Sequence, residues 1–366
     1  MQERDYMELA LSLAKAGKGQ TSPNPAVGAV VVKDGEIAGM GAHLKAGEPH
    51  AEVHAIRQAG KKAEGADIYV TLEPCAHTGK TPPCANLIVE NKLKRVFIAS
   101  MDPNPLVAGK GINILKKAGI EVTTGICEKE ALDLNAHFFH FIQNQTPYIT
   151  LKTAMTLDGK TASYTGDSKW ITSEESRLDV HKYRHTHDAI LVGVNTVIQD
   201  NPLLTTRLPR GGKNPIRIVL DSNLKIPIES RILEVQEAET LIFCGKNASI
   251  EKKELLLDKG VRIEQLDSPD ISINQVLKRL GELKITSLLV EGGSAVHFSF
   301  LREKAYQEVV IYMAPKLIGG SNAFSSFGGK GFPLISDGDE LEFSSVENIG
   351  NDLKIIAKPL RKGGAK

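Results

Sequence analysis

The chain has 366 residues, 41% hydrophobic and 24% charged, with a formal net charge of +1. That length suits two ordinary domains, each able to bury its own core. The charge divides evenly, with 16 Lys+Arg and 16 Asp+Glu in residues 1–145 against 29 and 28 in the remainder, so no polybasic stripe points to nucleic acid and no apolar run is long enough to span a membrane.

Taken in order, "MQERDYMELALSLAKAG" mixes acids among apolar positions and reads as an amphipathic helix over 3–17, neither signal nor transit peptide. "AVGAVVV" (26–32) is a strand, a helix follows His50, "DIYVTL" (67–72) is a strand, and "PCANLIVENKL" starts a helix at Pro83, a favoured first helical position. "RVFIAS" (95–100), a helix and strand over 111–125, and a helix carrying Leu132, Leu134 and Phe138 complete an α/β half. Polar residues and a proline in "QNQTPYITLK" put a boundary near 145, giving domains of 1–145 and 146–366. Strands at 189–197, 216–221, 240–245, 287–293 and 308–315 then repeat the alternation, and "RKGGAK" reads as a frayed end. Four cysteines in such a chain suit a reducing cytoplasm, with Cys127 and Cys244 outside any pattern.

The first chemical signal is "EPHAEVHAI" (48–56). In a continuous helix His50 and His54 would share a face and Glu52 would point away. If His50 instead stands at the helix start with partly non-helical dihedrals, His50 and Glu52 can face one ion, and His54 is left for a core or supporting role. "VTLEPCAHTGKTPPC" (70–84) supplies Cys75 and Cys84, each after a proline, with Cys84 in a first helical turn whose free N–H groups favour a thiolate. One His and two Cys leave a zinc ion a fourth position for water, and Glu52 can shuttle the proton, as in the H-x-E…P-C…C signature of zinc nucleobase deaminases. Eight residues intervene between Cys75 and Cys84, where the general signature has two. A closed structural zinc site is the competing reading, and it has no obvious fourth ligand.

The second signal is "ITSLLVEGGSAVHFSFL" (285–301), a strand, a glycine pair and a helix, suited to a phosphate at the helix N-terminus but without the full dinucleotide fingerprint. A Gly-Gly pair by itself more often marks a tight turn. Lys152 at a strand end, Asp200 after another strand and Glu291 at the end of a third suggest an active-site rim.

The motifs "NPAVGAVVV", "HAEVHAI", "YVTLEPCAHTGKTPPC", "DPNPLVAGKG", "PYITLKTAMTLDGK", "GDSKWITS", "ILVGVNTVIQDNP" and "LLVEGGSAVHFSF" resemble the bacterial bifunctional deaminase/reductase family of riboflavin biosynthesis, across essentially the whole chain. The cysteine step is that family's own version of the motif. The resemblance implies an N-terminal cytidine-deaminase-like α/β/α layer domain and a C-terminal dihydrofolate-reductase-like α/β domain. It implies one zinc on His50, Cys75 and Cys84, with Glu52 as the proton shuttle. Asn24, His43, His77, Lys80, Asp102 and Asn104 would belong to the pocket for the pyrimidine and its ribose phosphate. In the second half, Ala154, Trp170, Thr196, Asp200, Ser222 and the turn Gly293, Ser294, Ala295 match NADPH positions. Ser168, Arg184, Leu204, Arg207 and Glu291 match substrate positions.

The implied reactions are hydrolytic loss of the C2 amino group of a diaminopyrimidinone ribosyl phosphate, then hydride transfer from NADPH to C1′ of the ribosyl group. Glu291 would stabilise a cationic imine at C1′ and Lys152 would protonate or hold the ring oxygen, with Asp200 serving cofactor or acid. Small pyrimidine ribosyl phosphates are the expected partners, with no nucleic acid and no membrane, and a homo-oligomer is expected. Two other classes compete: a nucleic-acid-editing deaminase, which would need a basic groove, and a nucleotide-binding sensor with an inert reductase half. Asp221, ending "IRIVLD", leaves an NAD reading open beside the NADPH reading at Ser222.

Overall fold

The computed structural model describes residues 1–76, 82–104 and 108–360, and the chain divides into two compact units, Met1–Gln145 and Thr146–Lys366. The first unit runs α1 (Glu3–Lys15), β1 (Gly28–Lys33), β2 (Glu36–Ala42), α2 (Ala51–Ala59), β3 (Asp67–Leu72), α3 (Cys84–Glu90), β4 (Arg95–Ser100), α4 (Lys110–Lys117), β5 (Glu121–Thr124), α5 (Glu128–Leu134) and α6 (Ala136–Asn144). Its sheet has the order β2-β1-β3-β4-β5, antiparallel across the first three strands and parallel from β3 onward.

Both faces of that sheet are covered, because successive side chains of a strand point opposite ways. Ala29 and Val31 of β1 pack with Ala51, Ala55 and Ile56 of α2 on one side. Val30 and Val32 pack with Tyr6, Met7 and Ala10 of α1 on the other. Helix α2 lies so close on β2 that a Cβ at Gly41 would stand 2.2 Å from the Ala51 carbonyl oxygen; this contact fixes where the start of α2 falls. The expected helix through Leu132, Leu134 and Phe138 is two helices. Buried Asn135 interrupts it, its amide pairing with both backbone groups of Ala26 at 2.8 and 2.9 Å. Strand β2 carries Gly39 and Gly41 in seven residues and has no clear sequence signal.

The second unit runs β6 (Tyr148–Thr156), β7 (Lys160–Ala162), α7 (Glu174–Thr186), β8 (Ala189–Gly193), α8 (Val194–Asp200), β9 (Ile216–Leu220), β10 (Thr240–Cys244), α9 (Ile250–Asp258), β11 (Arg262–Gln265), α10 (Ile273–Glu282), β12 (Ser287–Val290), α11 (Ser294–Arg302), β13 (Glu308–Ala314), β14 (Phe324–Ser325), β15 (Leu341–Ile349) and β16 (Asp352–Pro359). The nine-stranded sheet, β11-β10-β9-β8-β12-β6-β13-β16-β15, is parallel up to β13 and antiparallel in its last two strands. Apolar β8, β9, β10 and β12 are buried on both faces, as a covered parallel sheet requires. The stretch 189–197, expected as one strand, turns into helix at Val194.

The order β8-β12-β6 places the last of these strands to be reached between two earlier ones, and the carboxyl ends of such strands are where open α/β sheets bind ligands. Among the described residues no helix is long and apolar enough to cross a membrane.

Candidate active sites

In the first unit, His50 is the N-cap of α2, with extended dihedrals (φ −73°, ψ 164°). The chain has not yet entered the helix at His50, so His50 and Glu52 need not diverge as helical residues two apart would. Pro83 is likewise the N-cap of α3 and not its first helical residue, with Cys84 opening the helix. The Cys84 backbone N–H donates to Cys75 Sγ at 3.3 Å, so the helix start serves Cys75 and not, as the sequence suggests, Cys84's own sulfur.

His50 Nδ1 lies 3.6 Å from Cys75 Sγ and 3.3 Å from Cys84 Sγ. A tetrahedral zinc with bonds of about 2.3 Å to sulfur and about 2.0 Å to nitrogen needs N···S edges of about 3.5 Å. The donor set therefore fits zinc in type and in spacing, and the three ligand atoms all lie within 4.8 Å of one another. Hydrogen bonding from the Cys84 thiol, with help from His50 and the Cys84 N–H, lowers Cys75 to about 4, while the same interaction and burial push Cys84 up. Metal binding takes both sulfurs as thiolates, so a cation at this site would release any thiol proton.

Glu52 is buried, and its Oε2 has no hydrogen-bond partner. Burial pushes its pKa up to about 6, against the pull of its own backbone N–H and His50. An unpartnered buried carboxylate oxygen costs about 1–3 kcal/mol, and here it stands beside the donor set. His43 sits edge-on to His50, ring centroids 5.4 Å apart. Its Nδ1 is 3.2 Å from the Pro49 carbonyl oxygen and its Nε2 is 3.4 Å from Asn24 Nδ2. Asp102 and Asn104 share a turn, the Asn104 N–H donating to Asp102 Oδ1 at 2.8 Å. His77 and Lys80 lie outside the described residues. His54 is exposed and takes no core position, a correction to its expected role.

In the second unit a cavity of 440 Å³ opens at the ends of β8 and β12 and along the middle of β6. Lys152, Ala154, Ser168, Thr196, Asp200 and Glu291 line it, together with the turn Gly293, Ser294 and Ala295. Gly293 is the N-cap of α11, and no side chain caps that helix start. A Cβ on Gly292 would stand 2.8 Å from Val296 Cβ, so glycine is what lets the turn close on the helix. An uncapped helix start opening on a cavity fits a phosphate-bearing cofactor.

Lys152 is in the middle of β6 and Asp200 closes α8, so neither sits at a strand end as the sequence suggests. Both oxygens of Glu291 are taken by Arg184, Nε and Nη2 donating at 2.9 Å each, and Lys152 Nζ is 3.6 Å away. Burial alone would raise the Glu291 carboxyl, but Arg184 and Lys152 outweigh it and hold it at about 2. The Lys152 pKa is lowered, by burial first and by Arg184 as well. The cluster of two cations and one anion leaves Glu291 little free charge for an imine, and Lys152 is the member placed to release a proton.

The remaining expected positions, Trp170, Leu204, Arg207 and Ser222, are not among the residues that line this cavity. Trp170 is exposed, with the Arg177 guanidinium 4.5 Å from its ring centroid. Leu204 has φ +55° and its side chain is in the core with Ile190 and Val197. Arg207 Nη1 donates to Thr205 Oγ1 at 3.0 Å. Ser222 follows β9, its carbonyl oxygen accepting from the Gly245 N–H at 3.0 Å. Asp221 is buried, and its carboxylate accepts the N–H groups of Lys225 and Ile226 at 2.9 and 2.8 Å. It staples its own loop with both oxygens. The sequence also gave no sign of Arg184 as the partner of Glu291, since 107 residues separate them.

A cysteine-histidine metal set with a buried glutamate in one unit and a phosphate-type turn with a buried lysine in the other define a two-site protein, a deaminase joined to a reductase. Residues 1–100 match the cytidine and deoxycytidylate deaminase zinc-binding region, and residues 147–355 match the RibD C-terminal domain. The riboflavin biosynthesis protein RibD of Bacillus amyloliquefaciens is 52% identical over 357 residues, 98% of this chain and 96% of its own. Among solved structures, RibD of Acinetobacter baumannii superposes with a TM-score of 0.89 at 39% identity, covering 98% of this chain and 99% of that one. A Thermotoga maritima protein described as a diaminohydroxyphosphoribosylaminopyrimidine deaminase/5-amino-6-(5-phosphoribosylamino)uracil reductase does so at 0.85 and 38%, covering 97% and 98%. The chain belongs to the RibD family, the bifunctional deaminase/reductases of riboflavin biosynthesis. An editing enzyme of nucleic acids and an inert sensor, the two competing readings, give way to it.

Proposed function

We infer that residues 1–145 deaminate 2,5-diamino-6-(ribosylamino)pyrimidin-4-one 5′-phosphate and that residues 146–366 reduce the ribosyl group of 5-amino-6-(5-phosphoribosylamino)uracil to ribityl. The observation that carries the reading is the orphaned Glu52 oxygen beside the His50, Cys75 and Cys84 donor set. One zinc ion on those three ligands would supply, when bound, a water of lowered pKa. Glu52 takes that water's proton and delivers it to the amine leaving C2, so that ammonia departs. Asn24, His43, Asp102 and Asn104, joined in this reading by His77 and Lys80, hold the pyrimidine and the ribose phosphate.

In the second unit NADPH would supply the hydride when bound. The helix start at Gly293, Ser294 and Ala295 holds its phosphates, with Ala154, Thr196, Trp170 and Ser222 as further cofactor contacts. Ser168, Arg184, Leu204 and Arg207 are assigned to the substrate. Lys152 delivers a proton to the ribose ring oxygen as C1′ is reduced, Glu291 keeps Lys152 and Arg184 in place, and Asp200 serves cofactor or proton supply. A homo-oligomer working in the cytoplasm belongs to the same reading, and all four cysteines are free thiols.

Incubating the zinc-loaded protein with the diaminopyrimidinone, with and without NADPH, and weighing the products tests the reading. An amino-to-oxo exchange should appear without NADPH and two further hydrogens with it. Recovery of unchanged substrate in both arms would overturn it.

Cofactor choice gives a sharper expectation. Asp221 is occupied by its own loop, and the Ser222 hydroxyl can donate to a 2′-phosphate oxygen. NADPH should therefore exceed NADH in kcat/KM by at least about tenfold, roughly 1.4 kcal/mol of differential transition-state binding. Ser222→Ala should erode the preference mainly through the KM for NADPH. Equal efficiency with both cofactors in the unmodified protein would refute the assignment.

A further inference from the structure

Strands β3 and β4 are parallel neighbours that end level, Leu72 paired with Ser100 and the Glu73 N–H donating to the Ser100 carbonyl oxygen at 3.0 Å. Beyond that level β3 delivers Cys75 and β4 delivers Asp102 and Asn104. Between the two exits lies Glu73, 4% exposed. Its Oε2 accepts the N–H groups of Asp102 and Gly109 at 3.4 and 3.0 Å, and its Oε1 those of Gly111 and Ile112 at 3.1 and 3.3 Å.

Gly109 is the N-cap of α4, has φ +74° and offers no side chain to cap it. Glu73 supplies that cap from another strand, a carboxylate at the positive end of the helix. The seat is tight: a Cβ on Gly111 would stand 2.0 Å from the Pro74 carbonyl oxygen and 3.3 Å from Glu73 Oε1. One carboxylate therefore fastens the Asp102 turn and the start of α4 to the residues that immediately precede a metal ligand.

We propose that Glu73 is a positioning residue for deamination, fixing Asp102 and Asn104 relative to Cys75 and so setting affinity for the ribose phosphate end of the substrate without touching the reacting atoms. The inference rests on the reading of Asp102 and Asn104 as substrate-holding residues. Glutamine keeps the shape of Glu73 but turns an NH₂ group toward one pair of N–H donors, so half of the fastening is lost.

The test is steady-state deamination by zinc-loaded, full-length Glu73→Gln. KM for the diaminopyrimidinone phosphate should rise about tenfold or more, kcat should stay within about twofold, and bound zinc should be unchanged. Glu73→Asp should recover part of the lost affinity. Unchanged KM with a lower unfolding temperature would reduce Glu73 to a helix cap and overturn the proposal, as would a fall in kcat accompanied by zinc loss.

Should the glutamine variant fail to fold, Gly111→Ala lifts α4 off the same seat without altering charge and must show the same rise in KM; an unaltered KM there overturns the proposal equally. Asp102→Ala separates the two layers of argument. A raised KM in that variant beside a normal KM in Glu73→Gln sinks the Glu73 inference alone, whereas a normal KM in Asp102→Ala removes the substrate-holding reading on which it rests.

Discussion

Glu52→Gln is expected to leave zinc bound and to lower the deamination rate by about 10²–10⁴-fold, the range typical of losing a general acid–base group. The argument is geometric. His50, Cys75 and Cys84 form a complete three-donor set without any carboxylate. Glu52 stands beside them, buried, with one oxygen unpartnered. Glutamine fills the same volume and can still accept a hydrogen bond through its oxygen, but it cannot take a proton from water and return it to a leaving amine. Metal analysis beside ammonia release separates the two roles. Zinc lost together with activity would make Glu52 a ligand, and a normal rate would remove it from the chemistry. His54→Ala is the control, since His54 is exposed and outside the donor set: it should keep both zinc and activity.

The donor set was legible because it rests on residue types that are scarce and locally placed. Four cysteines in 366 residues leave few ways to build a thiolate pair, and prolines before Cys75 and Cys84 mark where the chain changes direction. That His50 and Glu52 can meet was legible only conditionally. The sequence allows a helix through both, and it is the extended backbone at His50, set by the packing of α2 onto β2, that decides the matter. Glu73 escaped notice for a related reason. Its partners are backbone N–H groups, which every residue carries, so nothing in its neighbourhood's composition announces them.

Strands also differed in how plainly they showed. Buried parallel strands such as β8 and β10 are short apolar runs and stand out, but β15 exposes most of its side chains and lacks a run. In the second site the glycine turn was readable as a strand-to-helix junction, while the electrostatics were not. Lys152, Glu291 and Arg184 come from β6, the turn after β12 and α7, and only the fold brings them together. Read singly, Glu291 is a charge at a strand end. Paired with Arg184 it becomes the counter-charge that two buried cations require.

That pairing sets the second large effect. Glu291→Gln should destabilise the second unit by about 3–5 kcal/mol, the usual cost of removing one partner from a buried ion pair, and should lower the reductase rate by about 10²-fold or more. Arg184 and Lys152 have side-chain exposures of 12% and 13%, too little for water to replace the lost carboxylate. The pH dependence provides an independent check. The Glu291 pKa is depressed from 4.5 to about 2 in the folded chain, so its contribution is fully present above about pH 4.5 and is lost as pH falls toward 2. At about 1.4 kcal/mol per pKa unit the span is worth roughly 3 kcal/mol. Urea unfolding of the unmodified protein should therefore show a stability loss on acidification that Glu291→Gln lacks, the two curves converging at low pH. Equal stability of the two proteins at neutral pH would mean that Arg184 and Lys152 are adequately solvated without the carboxylate. Burial and the Arg184 charge, which lower the Lys152 pKa while Glu291 raises it, would then both be weakened by water, and the place of Lys152 as the proton donor would have to be argued again from its surroundings.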